Sequence, residues 1–336
     1  MTTSLVIQTS FLGDMVLTTP LLAYLAERGA VDVVCTPAAS VLLANNPAVR
    51  EVIVYDKRGR DRGAGGFVRL ARRLRRRGYS AAYLAQGSSR SGALALAAGI
   101  RERVGFATSA GRVFYTRRIL PVDNMHHAAR LLALGTGDAT APVSQRALRP
   151  RLYPGNGERQ AVDELLGEAR QDVLVAMAPG SVWPTKRWPY YAELAARLPS
   201  VRPVVVGGAA DAPLAAEIVA ASGGRAIDAT GKLSLVASAE LIGRMRAIVT
   251  NDSSPLHLAS AMNVPTVAIF GPTVPEFGFG PLADNSVVVE HAGLACRPCS
   301  RHGQMRCPLG HWRCMREITA DTVARRLLEL LSLRTV

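Results

Sequence analysis

An α/β chain of two βα domains, each with a mostly parallel sheet, is what this sequence predicts, on three observations. Short β-branched and alanine-rich runs alternate with helical patterns, which calls for mostly parallel sheets. Residues 135–157 are rich in Gly, Pro, Ala and Arg, show no clear period, and separate one such series from another. The 336 residues suffice for two ordinary cores, and 49% of them are hydrophobic.

The first series runs through strands at residues 5–9, 31–35, 52–55, 81–85 and 103–106. The linker region ends in Arg149-Pro150-Arg151-Leu152-Tyr153-Pro154. The second series has strands at 173–177, 204–206, 247–250 and 267–270. A last helix over 320–332 is apolar on one face and is expected to return to the first domain. The expected domains are 1–150, 151–318 and this C-terminal segment, 319–336. No apolar run reaches the roughly 18 residues that suggest a membrane span. Gln8, Gly13 and Asp14 break the first apolar stretch, and no basic residue precedes it. That stretch reads as a strand rather than a signal peptide, so a cytoplasmic location is expected.

Three strand–turn–helix junctions carry the chemistry. The most informative is Val249-Thr250-Asn251-Asp252-Ser253-Ser254-Pro255-Leu256-His257. A buried strand ends there in good N-cap residues, and Pro suits a first helical turn. Free backbone N–H groups and the positive end of a helix dipole then converge on one spot, suited to a phosphate or pyrophosphate. His257 falls in the first turn and can face it. The bland alternative is an ordinary junction with a capping Asp. The second junction, Pro179-Gly180-Ser181-Val182-Trp183-Pro184-Thr185-Lys186-Arg187-Trp188-Pro189, sets a hydroxyl and two cations at a strand's carboxyl end, before a helix over 190–198. The third, Thr9-Ser10-Phe11-Leu12-Gly13-Asp14-Met15-Val16, places Asp14 at a helix start. An Asp there is either a cap or a carboxylate that takes a proton.

Together these segments resemble the family 9 glycosyltransferases, the bacterial heptosyltransferases of the lipopolysaccharide inner core. Gly13-Asp14-Met15-Val16-Leu17-Thr18-Thr19-Pro20 is similar to the family's opening motif, and Pro179-Gly180-Ser181 with Lys186-Arg187-Trp188-Pro189 to its central one. Asn251-Asp252-Ser253 with His257, followed by Val264-Pro265-Thr266-Val267-Ala268-Ile269-Phe270-Gly271-Pro272-Thr273, is similar to its nucleotide-sugar motif. The resemblance covers nearly the whole chain, and its nearest branch is the heptosyltransferase II type.

The resemblance implies a GT-B fold, two Rossmann-like domains facing a central cleft, with acceptor on the first domain and ADP-heptose on the second. It implies an inverting single displacement without metal or cofactor. Asp14 matches the general base and Lys186 the lysine on the donor phosphates. Ser181 matches a hydroxyl near the diphosphate, and Asp252, Ser253, Ser254 and His257 the donor-binding helix start. Domain closure would exclude water. Two positions depart from the pattern. Some members have Gly where Ser254 stands. The glutamate that holds the ribose in some members aligns with Ala210, with Asp211 beside it. The sequence has no Asp-x-Asp pair of the kind that metal-dependent glycosyltransferases use.

The charge is uneven. Residues 57–118 hold 16 Lys or Arg against Asp61 and Glu102, which equals the whole chain's net +14. Arg72, Arg73, Arg75, Arg76 and Arg77 form the densest stretch. Such a patch attracts phosphates or anionic headgroups and weakens with salt. A phosphorylated, lipid-linked core oligosaccharide at the inner membrane surface fits both patch and family; a solvated arginine-rich face is the alternative. Nucleic acid is not expected, since no helix-turn-helix, zinc-finger array or aromatic RNA-binding motif accompanies the patch.

Cys296, Cys299, Cys307 and Cys314 lie within 19 residues, with His302 and His311 among them. They could hold a structural metal or remain reduced, packed thiols; stable disulfides are disfavoured in a cytoplasm. Other classes stay open. A Rossmann dehydrogenase would want Gly-x-Gly-x-x-Gly after the first strand, which Ser10-Phe11-Leu12-Gly13-Asp14 does not supply. A non-catalytic polyanion- or lipid-binding protein, or a family 9 enzyme with another donor or acceptor, would share the patch.

Overall fold

Two six-stranded, all-parallel sheets organise the computed structural model, which describes residues 2–332. The chain divides into two compact units, Met1–Tyr153 and Pro154–Val336. The first unit holds β1 (Thr2–Gln8), β2 (Gly29–Cys35), β3 (Glu51–Val54), β4 (Ala81–Leu84), β5 (Glu102–Phe106) and β6 (Arg117–Ile119). The second holds β7 (Leu174–Ala178), β8 (Arg202–Val205), β9 (Ile227–Asp228), β10 (Ala247–Asn251), β11 (Thr266–Phe270) and β12 (Ser286–Glu290). The orders are β3-β2-β1-β4-β5-β6 and β12-β11-β10-β7-β8-β9. Counted within each unit, both are the 3-2-1-4-5-6 Rossmann order. Three strands go beyond the sequence reading: β6, β9 and β12, each at the edge of its sheet.

Each sheet is buried by the apolar residues of its own strands. In the first unit Leu5, Ile7, Val34, Ile53 and Leu84 pack against Leu70, Leu74 and Leu94 from the covering helices. In the second, Val175, Met177, Val205, Val249, Val267 and Ile269 pack with Trp188, Leu194 and Leu198. Each such side chain, fully buried, contributes about 1.5–3 kcal/mol of transfer free energy.

Two expectations are corrected here. The C-terminal helix, Ala320–Ser332, does not bury its apolar face on the first unit. Val323, Leu327 and Leu330 join the second unit's core, where β10, β11 and β12 leave a sheet face to cover. The linker region begins later than composition suggested, because Gly135 lies inside the helix His127–Thr136. A Cβ at Gly135 would stand 2.8 and 2.9 Å from Tyr24 and Leu21 of the helix Leu12–Ala26, so the glycine is there for close helix packing.

One ionic cluster around a buried carboxylate ties the first sheet together. Asp32, fully buried in β2, accepts from Arg50 Nε and Nη2 at 2.8 and 2.6 Å and from the Tyr79 hydroxyl at 2.6 Å. Burial acts to raise its pKa, but the bonds from Arg50 and Tyr79 outweigh it and hold the carboxyl below the usual 3.8. A depressed carboxyl stabilises the fold above its unfolded pKa and loses that contribution as pH falls through the folded value. Melting temperature should therefore drop more steeply below pH 4 in the wild type than in Asp32→Asn. Parallel curves would show that Asp32 carries no such linkage.

Candidate functional site

Both Rossmann orders reverse at one place, between the first and fourth strands of the unit, and open α/β sheets bind ligands outside the carboxyl ends there. In the second unit those strands are β7 and β10. The loop after β7 carries Ser181 and Lys186, the loop after β10 carries Asp252 and Ser253, and Ser254 opens the helix that follows. In the first unit they are β1 and β4, and the segment after β1 carries Asp14. The three sequence junctions thus fall at the two switch points.

In the second unit Lys186 and Asp252 form a buried ion pair, Nζ to Oδ2 at 2.6 Å. Thr273, in the loop after β11, donates its hydroxyl to the same carboxylate oxygen at 2.7 Å. Asp252 is therefore not a helix cap. Ser253 is the N-cap residue of the helix Ser254–Met262, with extended backbone and no side-chain capping bond. The N-cap side chain does not close that helix end, which keeps it suited to an anion. His257 is buried in the first turn, its ring 6.2 Å from that of Phe279. The Ser181 hydroxyl accepts from Trp183 N at 3.3 Å, and Arg187 Nε donates to the Ser181 carbonyl at 2.9 Å. Ser181 thus shapes the turn that carries Lys186.

Residues to which the sequence reading gave no role hold this geometry. Asn251, fully buried at the end of β10, donates to the Pro179 carbonyl at 2.9 Å and accepts from Trp188 N at 3.2 Å. It sews the two switch-point loops together. The cysteine-rich loop braces Lys186 from the other side: Thr185 Oγ1 donates to the Gln304 carbonyl and accepts from Gln304 N, both at 2.8 Å. Gly303, with φ +94, lies so close that a Cβ would stand 2.8 Å from Trp183 and 3.1 Å from Lys186 Cε. Arg297, almost wholly buried, donates to the carbonyls of Thr273 and His291 at 3.0 and 2.7 Å and pairs with Glu290. It fixes the loop that carries Thr273.

All five cysteines are free thiols. Among the described residues no group of three or more His, Cys, Asp or Glu is arranged to hold a metal ion. Cys299 donates to the Cys296 carbonyl at 3.1 Å, and burial pushes the Cys314 thiol up to about 11. Asp211, beside the aligned ribose position, accepts from Gly208 N at 3.0 Å and packs over Gly180, turned into its own turn.

In the first unit Asp14 is the third residue of the helix Leu12–Ala26, and Oδ2 accepts from Phe11 N at 3.3 Å. It is thus a cap, the bland alternative, but its other oxygen, Oδ1, lies 3.6 Å from His127 Nε2. Of the arginines, Arg72, Arg73, Arg76 and Arg77 line one shallow hollow with Val68 and Arg69, while Arg75 lies apart, near Gly99. Arg73 and Arg77 are partly neutralised, both donating to Glu51 at 2.8 and 2.9 Å. All five are exposed.

Two Rossmann-like units, one with a cation and an uncapped helix start at its switch point and the other with a carboxylate, define a glycosyltransferase of the GT-B class. The chain belongs to glycosyltransferase family 9 (heptosyltransferase), whose profile matches residues 67–312. It is 30% identical over 294 residues to lipopolysaccharide heptosyltransferase 2 of Salmonella typhimurium, covering 81% of this chain and 84% of that one. It is 31% identical over 316 residues to lipopolysaccharide heptosyltransferase 1 of Pseudomonas aeruginosa, covering 88% and 85%. The structure of the E. coli ADP-heptose LPS heptosyltransferase II matches over 100% of both chains, with a TM-score of 0.82 and 27% identity. The likeness to the heptosyltransferase II type, expected from the motifs, holds in sequence and in fold.

Proposed function

We propose that this chain moves a heptose from ADP-heptose to the lipopolysaccharide inner core, with inversion and without a catalytic metal. The observation that carries the donor side is the second unit's switch point, where Lys186 and an uncapped helix start lie on adjacent loops. Lys186 uses one of its three N–H groups on Asp252, which leaves two for a diphosphate. Ser181, Ser253, Ser254 and His257 complete the donor site. Names of relatives that specify lipopolysaccharide, and a solved relative whose name includes ADP-heptose, support the substrate.

Asp14 accepts the proton of an acceptor hydroxyl. That oxygen bonds to the anomeric carbon as the bond to ADP breaks on the opposite face, and ADP leaves with the electron pair. Lys186 and the helix start offset the negative charge that develops on the diphosphate. The protein with ADP-heptose and truncated lipopolysaccharides of defined length should add one heptose mass to a single truncation. Transfer only from another nucleotide sugar would replace the donor, and no transfer from any donor would end the reading.

The arginine hollow takes the phosphorylated, lipid-linked acceptor at the inner face of the cytoplasmic membrane. Among the described residues no helix is long and apolar enough to cross a membrane; the attachment proposed is peripheral. Each basic residue near an anionic surface is worth about 1 kcal/mol, so changing Arg72 and Arg76, both in the hollow, to Gln should weaken binding to anionic vesicles up to about thirtyfold. Arg73 and Arg77 are left in place because Glu51 already engages them. Transfer to a delipidated, dephosphorylated analogue should change little, and added salt should reproduce the defect in the wild type. Unchanged vesicle binding would reduce the hollow to a solvated face.

A further inference from the structure

Asp14 and His127 are far apart in sequence, yet two helices that run side by side bring them together. Asp14 sits in the first turn of the helix Leu12–Ala26, and His127 opens the helix His127–Thr136. The helices pack closely, and Gly135, two turns beyond His127, meets Leu21 and Tyr24, two to three turns beyond Asp14. They are therefore parallel and in register, and both positive helix ends lie beside one carboxylate. The two oxygens of Asp14 have different neighbours: Oδ2 accepts from Phe11 N, and Oδ1 lies 3.6 Å from His127 Nε2.

We propose that His127 is the positioning residue of Asp14, its Nε2–H holding Oδ1 so that the carboxylate presents a free lone pair to the acceptor hydroxyl. This rests on the reading of Asp14 as the base. Helix capping does not explain His127, because His126 takes that role: its Nδ1 accepts from Ala128 N at 3.1 Å. The two side chains remain 19% and 18% exposed, so neither is sealed from solvent. The 3.6 Å separation is slightly longer than a hydrogen bond, as is common for catalytic pairs before substrate binds. In the reaction the acceptor proton moves to Asp14 while the His127 N–H donates to Oδ1, so no proton leaves the imidazole.

The experiment compares His127→Phe, His127→Gln, Asp14→Asn and the Asp14→Asn/His127→Phe double variant by steady-state kinetics, with ADP calorimetry and thermal melting as controls. A misplaced catalytic group can cost about a hundredfold, so His127→Phe should lower kcat by about that factor while the acceptor KM and ADP affinity stay near wild type. His127→Gln, whose amide N–H reaches a similar position, should recover most of the loss. Adding His127→Phe to Asp14→Asn should cost nothing more, because a residue that acts through Asp14 has nothing left to position. Wild-type kcat in His127→Phe, or an equal further loss in the Asp14→Asn background, overturns the pairing. A dead Asp14→Asn with an unaffected His127→Phe sinks the pairing alone, whereas a normal Asp14→Asn sinks the base and the pairing together. If His127→Phe melts early, the Gln variant decides, since a kcat as low as that of Asp14→Asn in a stable His127→Gln protein would exclude positioning by an N–H donor.

Discussion

Asp14→Asn should lower turnover by about two to four powers of ten, the range lost with a general base, and leave donor affinity almost unchanged. The substitution keeps the shape of the side chain. The amide oxygen can still accept the Phe11 N–H that Oδ2 now accepts at 3.3 Å, so the helix start survives. What disappears is the ability to take a proton. Asp14 belongs to the first unit, whereas Ser181, Lys186 and Asp252 all belong to the second, so ADP calorimetry should read the same for both proteins. Turnover within a few-fold of wild type would remove Asp14 as the base and leave it a cap. Loss of ADP binding in parallel with turnover would mean that the variant disturbs more than the proton transfer.

Much of this site is local in sequence, and those features were legible. Asn251-Asp252-Ser253-Ser254 announces a strand that runs into a helix, and Lys186 stands one loop beyond another strand. Periodicity and capping rules find both without knowledge of the fold. The pairing of Lys186 with Asp252 was not legible, because it exists only when β7 and β10 become neighbours. His127 was missed for the same reason, since its partner lies on another helix. Thr273 stood inside a recognisable motif, yet its role depends on β11 lying beside β10. Among the strands, β6 and β9 have three and two residues, too short to carry an alternating pattern. β12 is different: Ser-Val-Val-Val-Glu is a β-branched run that the criterion used for the other strands would find. The last helix was recognised from its apolar face, but such a face does not say which sheet it will cover.

Lys186→Ala should damage the protein in two separable ways. The lysine neutralises Asp252 in a place where both side chains are about nine-tenths buried. Removing one partner of a buried pair leaves the other charge uncompensated and costs about 3–5 kcal/mol, so the melting temperature should fall by about ten degrees. The lysine also faces the donor phosphates in the proposed site, where charge-assisted hydrogen bonds contribute about 1.5–3 kcal/mol. Adding Asp252→Asn separates the effects. The double variant no longer buries a lone carboxylate, so most of the melting temperature should return, helped by the Thr273 hydroxyl, which can still donate to the amide oxygen. ADP affinity should stay low, by about ten- to a hundredfold, because the cation is still missing, and uncharged adenosine should bind both stable proteins alike. Equal losses for adenosine and ADP would mean that Lys186 does not face the phosphates and serves only Asp252. An unchanged melting temperature in Lys186→Ala would mean that water reaches Asp252, so that the pair is not the brace between the loops after β7 and β10.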